Sequence, residues 1–355
     1  MRKKQEGKGR SKAPTGSFAG RGHRLKLAEW FSKRTYHHSE FSDVEELVRL
    51  KEQQGLTISV CLPTMNEADT IPNIIPVTRR TLMNRHRLVD QLAIIDSRST
   101  DSTARVAAEL GAEVYYDDEY LTDQPPANGK GEALWKSLVP LTGDIIVWID
   151  SDIRNFSPHF IYGLVGPLLL NRRISFVKGY YRRPLFLGEM RRETGGGRVT
   201  EICARPLINM FYPELAGLIQ PLSGEYAGRR RVLESVPFFT GYGVELGLDI
   251  DIYRKYGLAA IAQTDLRRRV HHNQSTEALG RMAFGIMQAV FKRLDDEGRL
   301  DLKAGLGTNY NSIFYKHGHY GLDSLRIEVV ERPPLATLKG YREAHPKRQR
   351  RKAQL

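Results

Sequence analysis

The chain has 355 residues, 41% of them hydrophobic and 27% charged, which excludes a predominantly disordered polypeptide and suffices for one large or two ordinary domains. Its net charge of +13 suggests a nucleic-acid binder until it is mapped along the chain. Residues 1–26 carry a net +8 and residues 339–355 a net +6, which leaves the body between them at −1.

The basicity therefore belongs to the ends. Residues 1–27 and 339–355 lack apolar periodicity and read as disordered, solvated basic tails. Attachment to polyanions or acidic lipid is the alternative, and it supplies a non-enzymatic reading of the chain as a polyanion-binding protein. The near-neutral body argues against a specific nucleic-acid partner. The N-terminus lacks the apolar h-region of a secretory signal, and the longest apolar stretch, "FIYGLVGPLLL" at 160–170, is too short for a membrane span. Cys61 and Cys203 make neither a disulfide framework nor a metal-ligand spacing. The expectation is a cytoplasmic protein without a membrane span.

Residues 28–55 read as a helical preface. From residue 56 the signals alternate: strands over "LTISVCLP" (56–63), "VDQLAIID" (89–96), "AEVYY" (112–116) and "DIIVWID" (144–150) are separated by helices over 68–84, 100–111 and 129–143, the second with cap candidates Thr100 and Asp101. Such alternation predicts βαβ units and an α/β fold with a parallel sheet, and continuous apolar runs fit strands buried on both faces. The second half is less regular. It holds a strand at 173–181, a Gly-rich turn at 194–201 entering a helix, a strand and turn within 218–236, a helix at 242–257, a loop at 267–276 and an amphipathic helix at 277–294. Residues 301–338 read as an irregular closing segment.

Ligands of parallel α/β sheets bind beyond the carboxyl ends of the strands. Those ends are polar here: Asn66-Glu67, Asp96-Ser97 and Asp150-Ser151-Asp152. Two carboxylates spaced D-x-D past a rigid apolar strand suit a hard divalent cation, Mg²⁺ or Mn²⁺, that shares its ligands with phosphate oxygens. Surface acids or a helix cap are the plainer alternative. The second D-x-D, Asp249 and Asp251, falls within the 242–257 helix and reads as structural. Lys130 between two glycines at a helix start can meet a phosphate, and Arg198 in "GGGRVT" can fork onto a phosphate or carboxylate, although a flexible surface turn would look the same. His271 in "RRRVHHN" is a candidate metal or phosphate ligand, and a solvated histidine is its plain alternative.

The ordered segments "CLPTMNEADTI", "IIDSRSTDST", "NGKGEALWKSL" and "VWIDSDIRNFSP" resemble A-type glycosyltransferases that use nucleotide sugars. "GGGRVTE", "PLSGEYAGRR", "GYGVELGLDID" and "RVHHN" narrow the resemblance to the retaining glucosyl- and mannosyl-3-phosphoglycerate synthases, over roughly residues 56–300. The resemblance implies a Rossmann-like, mostly parallel sheet flanked by helices, with a nucleotide-sugar half at 56–155 and an acceptor half at 156–300. It implies that Pro63, Asn66, Glu67, Ser97, Lys130, Asp150, Ser151 and Arg269 serve the nucleotide sugar. Gly197, Arg198, Thr200 and Asn273 would hold 3-phosphoglycerate, Asp152 and His271 the metal, and Tyr242 and Glu245 would stand with Asp152 at the reacting groups. The donor would be GDP-mannose, GDP-glucose or UDP-glucose. Gln274, where glucosyl members are expected to carry a basic residue, leans the choice towards GDP-mannose. A homodimer is implied as well. A polyprenyl phosphate is the alternative acceptor, opposed by the missing membrane segment.

Overall fold

A computed structural model of the chain describes residues 21–182, 185–187, 190–192, 197–270, 274–316 and 318–345. One eight-stranded sheet organises them. Its strands are β1 (Thr35–His37), β2 (Ile58–Thr64), β3 (Gln91–Asp96), β4 (Glu113–Tyr116), β5 (Ile145–Trp148), β6 (Phe176–Arg182), β7 (Tyr226–Arg229) and β8 (Ile261–Arg268). Their order across the sheet is β1-β8-β6-β7-β5-β2-β3-β4. All pairings are parallel except those of β7, which runs against both β5 and β6. The expected α/β class and mostly parallel sheet are what the chain adopts.

Alternation of side chains across the pleat gives the inner strands two buried faces. In β5 and just past it, Ile145, Val147 and Ile149 enter one core, while Ile146 and Trp148 enter the other; all five have no exposed surface. Each such side chain contributes about 1.5–3 kcal/mol on burial, so the strand end that carries Asp150 is held firmly. The helices Val44–Gln53, Ile71–Thr78, Thr103–Glu109 and His159–Leu170 cover one face, and Lys130–Ser137, Arg205–Phe211, Val244–Tyr256 and Thr276–Asp296 cover the other.

From β2 the chain winds outward through β3 to β4, then returns so that β5 lies on the opposite side of β2. The crevice beyond the carboxyl ends of β2 and β5 is thus a topological switch point, where ligands of open α/β sheets bind. The two expected halves both feed this one sheet.

Several boundaries differ from the sequence reading. The described part of the N-terminal tail is helical: Arg21–Arg34 docks through the buried Trp30, whose indole N–H donates to the Ile261 carbonyl at 3.0 Å. At the other end Lys339–Ala344 is a helix, anchored by buried Tyr341 donating to Glu234 at 2.7 Å. One aromatic anchor suffices at each end, Trp30 just past the first basic run and Tyr341 within the second, and neither makes an apolar period. β8 was read as part of no element, because it buries Gln263 and Thr264 rather than an apolar run; Gln263 accepts from the Ile219 N–H at 2.9 Å and donates to Thr35 and Gly217. The irregular closing segment contains a hairpin, β9 (Asn309–Lys316) and β10 (His319–Arg326). Thr100 caps nothing; Asp101 accepts from the Thr103 N–H at 2.9 Å, where the helix begins.

Candidate active site

The apolar strand β5 delivers Asp150 and Asp152 to the crevice, and two cations meet them there. Lys130 Nζ stands 2.5 Å from Asp150 and 2.8 Å from Glu245. Arg269, 4% exposed just past β8, reaches Asp150 at 3.0 Å, Asp152 through the same nitrogen, and Glu225 at 3.1 Å. Burial alone would lower the pKa of either cation, but the carboxylates around them raise both well above their ordinary values. Each therefore stays charged.

Close packing fixes these groups. A side chain at Gly131 would collide with the Phe239 carbonyl, so the helix that starts at Lys130 abuts the segment carrying Tyr242 and Glu245. A side chain at Gly224 would collide with the carboxylate of Asp150. The Ser151 hydroxyl donates to the Pro63 carbonyl at 2.7 Å and ties the ends of β5 and β2 together.

Lys130, Asp150, Ser151, Asp152, Glu245 and Arg269 face one cavity of about 880 Å³. Pro63, Glu67, Ser97, Lys130, Asp150, Ser151 and Asp152 line one part of it, and Gly197, Arg198, Thr200, Tyr242, Glu245 and Arg269 another. Arg198 donates to the Gln274 carbonyl at 2.7 Å, which draws the turn at 197–200 to the loop before the helix Thr276–Asp296. Burial raises the pKa of Glu67, opposed by the Thr70 hydroxyl and reinforced by Asp152 and Asp150. Among the described residues no three His, Cys, Asp or Glu side chains form a ready metal cage. Asp150 and Asp152 are instead hard oxygen donors that leave room for phosphate oxygens and water, the donor set that Mg²⁺ and Mn²⁺ take.

Residues 59–239 match the description "Glycosyl transferase family 2". The chain is 48% identical over 318 residues to the glucosyl-3-phosphoglycerate synthase of Petrotoga mobilis, covering 90% of this chain and 98% of that protein. The chain belongs to the family of glucosyl- and mannosyl-3-phosphoglycerate synthases. Among solved structures, the mannosyl-3-phosphoglycerate synthase of Rubrobacter xylanophilus superposes with a TM-score of 0.80 at 43% identity, over 88% of this chain and 98% of that one. The glucosyl-3-phosphoglycerate synthase of Mycobacterium tuberculosis, solved with Mn²⁺, UDP-glucose and phosphoglyceric acid, superposes with a TM-score of 0.73 at 39% identity, over 85% and 98%.

Of the residues that the synthase resemblance selected, all described ones but Asn66 line the cavity. Asn66 sits in the left-handed region at φ 59°, and its side-chain oxygen accepts from the Thr100 N–H at 2.8 Å. It shapes the turn at the rim, beside the cavity-lining residues. His271 and Asn273 lie outside the described residues. Sequence reasoning missed Glu225, wholly buried on the strand side of Arg269, and the acidic turn Asp117–Glu119 at the far end of the cavity. It also missed the apolar wall of Leu222, Leu279, Met282 and Ile286. The run "DDE" straight after a strand was the one available signal for the acidic turn.

Proposed function

We propose that the protein is a metal-dependent retaining hexosyltransferase that moves mannose or glucose from a nucleotide sugar to the 2-hydroxyl of 3-phosphoglycerate, giving mannosyl- or glucosyl-3-phosphoglycerate. The observation that carries it is the meeting of Asp150, Asp152, Lys130 and Arg269 at the switch point, across one cavity from Arg198 and Thr200.

In this reading Pro63, Glu67 and Ser97 hold the nucleoside, and Asp150 and Ser151 the diphosphate end. Asp152, with His271, would hold Mg²⁺ or Mn²⁺. When bound, the ion neutralises the diphosphate as it becomes the leaving group. Lys130 and Arg269 bring fixed positive charge to the same group; they are already charged and in place, so little reorganisation is needed as the bond breaks. Gly197, Arg198 and Thr200, with Asn273, hold the carboxylate and phosphate of the acceptor. Tyr242 and Glu245 stand beside the sugar and the acceptor hydroxyl.

Glu245 is tied to Lys130 at 2.8 Å and is thereby a poor covalent nucleophile. The retaining step is therefore a front-face substitution. The bond from the sugar C1 to the diphosphate oxygen breaks while the acceptor O2 bonds C1 on the same face, and the acceptor proton passes to the departing oxygen. A homodimer and a cytoplasmic location belong to the same proposal. The exposed hairpin of β9 and β10 suits the first, and the two unpaired, buried thiols of Cys61 and Cys203 suit the second.

The test is turnover with Mg²⁺ or Mn²⁺, 3-phosphoglycerate and, in turn, GDP-mannose, GDP-glucose, UDP-glucose and UDP-mannose, read as nucleotide release and a new phosphorylated sugar. Reaction of no donor with 3-phosphoglycerate, or glycosylation of a polyprenyl phosphate in its place, overturns the proposal.

A further inference from the structure

Asp117 has no part in the chemistry above, yet it lines the same cavity. It opens the single turn Asp117–Glu119 that follows the edge strand β4. Three acids in one turn repel one another, and Arg98 relieves the other two. That guanidinium pairs with Asp118 at 2.9 Å and Glu119 at 3.1 Å and lies 4.0 Å over the ring of Tyr116. Asp117 is turned away from it and receives the Ser97 hydroxyl at 2.7 Å. Burial pushes its carboxyl above its ordinary pKa, the Ser97 hydrogen bond and the charge of Lys136 pulling the other way.

The sheet order says what reaches Asp117. Strand β4 lies three places from β5 along the run β5-β2-β3-β4. At about 4.8 Å per strand that is roughly 14 Å along the rim. A nucleoside diphosphate with its phosphates over Asp150 and Lys130 lays its base at that end. Met65, 65% exposed, offers the ring an apolar plate there. Lys136 acts on Asp117 only at longer range, its ammonium pairing with Glu132 at 3.2 Å, so the Asp117 carboxylate makes no ion pair among the described residues and attracts N–H groups. Guanine presents N1–H and N2–H₂ side by side, two donors for one carboxylate, whereas uracil presents a single N–H flanked by two carbonyl oxygens.

We propose that Asp117 reads the base of the donor, accepting the N1–H and N2–H₂ of guanine, and so selects guanosine over uridine diphosphate sugars. The inference rests on the transferase reading above. Asn at this position keeps one acceptor, gains one donor, and matches uracil better than guanine.

The experiment titrates the full-length protein with GDP and with UDP by calorimetry, and measures kcat/KM with GDP- and UDP-sugars, for the parent and Asp117→Asn. The expected result is a parent that prefers the guanosine ligand and a variant in which the guanosine-to-uridine ratio falls about tenfold or more. A parent that prefers UDP, an unchanged ratio, or an equal loss for both nucleotides overturns the inference; equal loss would point to a ribose contact. A parent that binds neither nucleotide overturns the transferase reading, and this one with it, before any variant is made. Should Asp117→Asn fail to fold, Asp117→Ala removes both acceptor oxygens, and the same ratio is expected to fall.

Discussion

Arg269 and Asp150 stand 3.0 Å apart where β8 and β5 end, and the guanidinium nitrogen that joins them also bonds Asp152. One buried cation thus gathers the two carboxylates of the D-x-D segment. Its Nε faces Glu225 at 3.1 Å, a carboxylate with no exposed surface. The two carboxylates are in this way brought together from within the protein.

Breaking such a cluster leaves buried negative charge uncompensated, at a cost of about 3–5 kcal/mol. Arg269→Met is expected to lose about that much in denaturant unfolding, with part of the loss recovered when Mn²⁺ is added, because two carboxylates deprived of their guanidinium hold a divalent ion more readily. A loss below about 1 kcal/mol, or no response to Mn²⁺, would show that Arg269 is not the cation that organises them.

Asp152 should behave oppositely. It lies past the end of β5, which closes at Trp148, and keeps 32% of its side chain exposed. Asp152→Ala is expected to abolish turnover while the melting temperature stays close to that of the parent. Full activity in the variant, or undiminished activity of the parent in excess EDTA, rules the metal role out.

What could be read from the sequence depended on whether a residue's task left a local mark. Asp150 and Asp152 were legible because two acids interrupt an apolar strand, and Lys130 because glycines flank it at a helix start. The structural reading of Asp251 holds in the fold, where Arg293 grips it at 2.7 and 2.8 Å. Glu225 was not legible: a glutamate just before a short strand looks solvated until Arg269 arrives from more than forty residues away. The left-handed backbone of Asn66 and its bond to Thr100 likewise leave no mark in the sequence. β1, with three residues, and β8, with a polar buried face, fall below what periodicity can detect.

A change at Arg198 tests acceptor binding apart from donor binding. It lines the cavity beside Thr200, while its bond to the Gln274 carbonyl uses only one of its nitrogens. Loss of a charge-assisted contact costs on the order of 1.5–3 kcal/mol, so Arg198→Ala is expected to raise the KM for 3-phosphoglycerate about tenfold or more. Nucleotide affinity in calorimetry should barely move. An equal loss for both ligands would mean that the variant disturbs the whole cavity.

A second titratable site lies away from the cavity. His38 is buried between the rings of His37 and His159, with centroids 4.4 and 4.5 Å away, and its Nε2 has no hydrogen-bond partner among the described residues. Burial first, then His159, His37 and Arg267, hold its pKa down to about 4 from 6.5. A histidine depressed on folding stabilises the native state above its unfolded pKa, and that contribution is lost as pH falls towards the folded value. The parent should therefore lose stability between about pH 6.5 and pH 4. His38→Phe, which keeps the ring and removes the titration, should lose less over that window in thermal melts. Parallel curves for the two proteins would assign the acid lability to other groups.

The hairpin of β9 and β10 carries the last prediction. Its register sets Ile313 opposite Leu322 and Tyr315 opposite Tyr320, on one face and 64–77% exposed. The other face rests on the helix Thr276–Asp296 through Tyr310, whose ring lies 5.5 Å from that of Phe284. An isolated two-stranded ribbon is marginal in water, and four large apolar side chains on its free face make it less soluble still. Those four expose on the order of 500 Å². Two copies packed face to face about a two-fold axis would bury roughly 1,000 Å², which reaches the threshold for a specific interface. A second copy of the chain would meet this face with the same face. Light scattering is expected to give the parent twice the 40.4 kDa of the chain, and Ile313→Asp combined with Leu322→Asp to give the single mass. A monomeric parent would overturn the dimer. A variant that stays dimeric would move the interface to another surface.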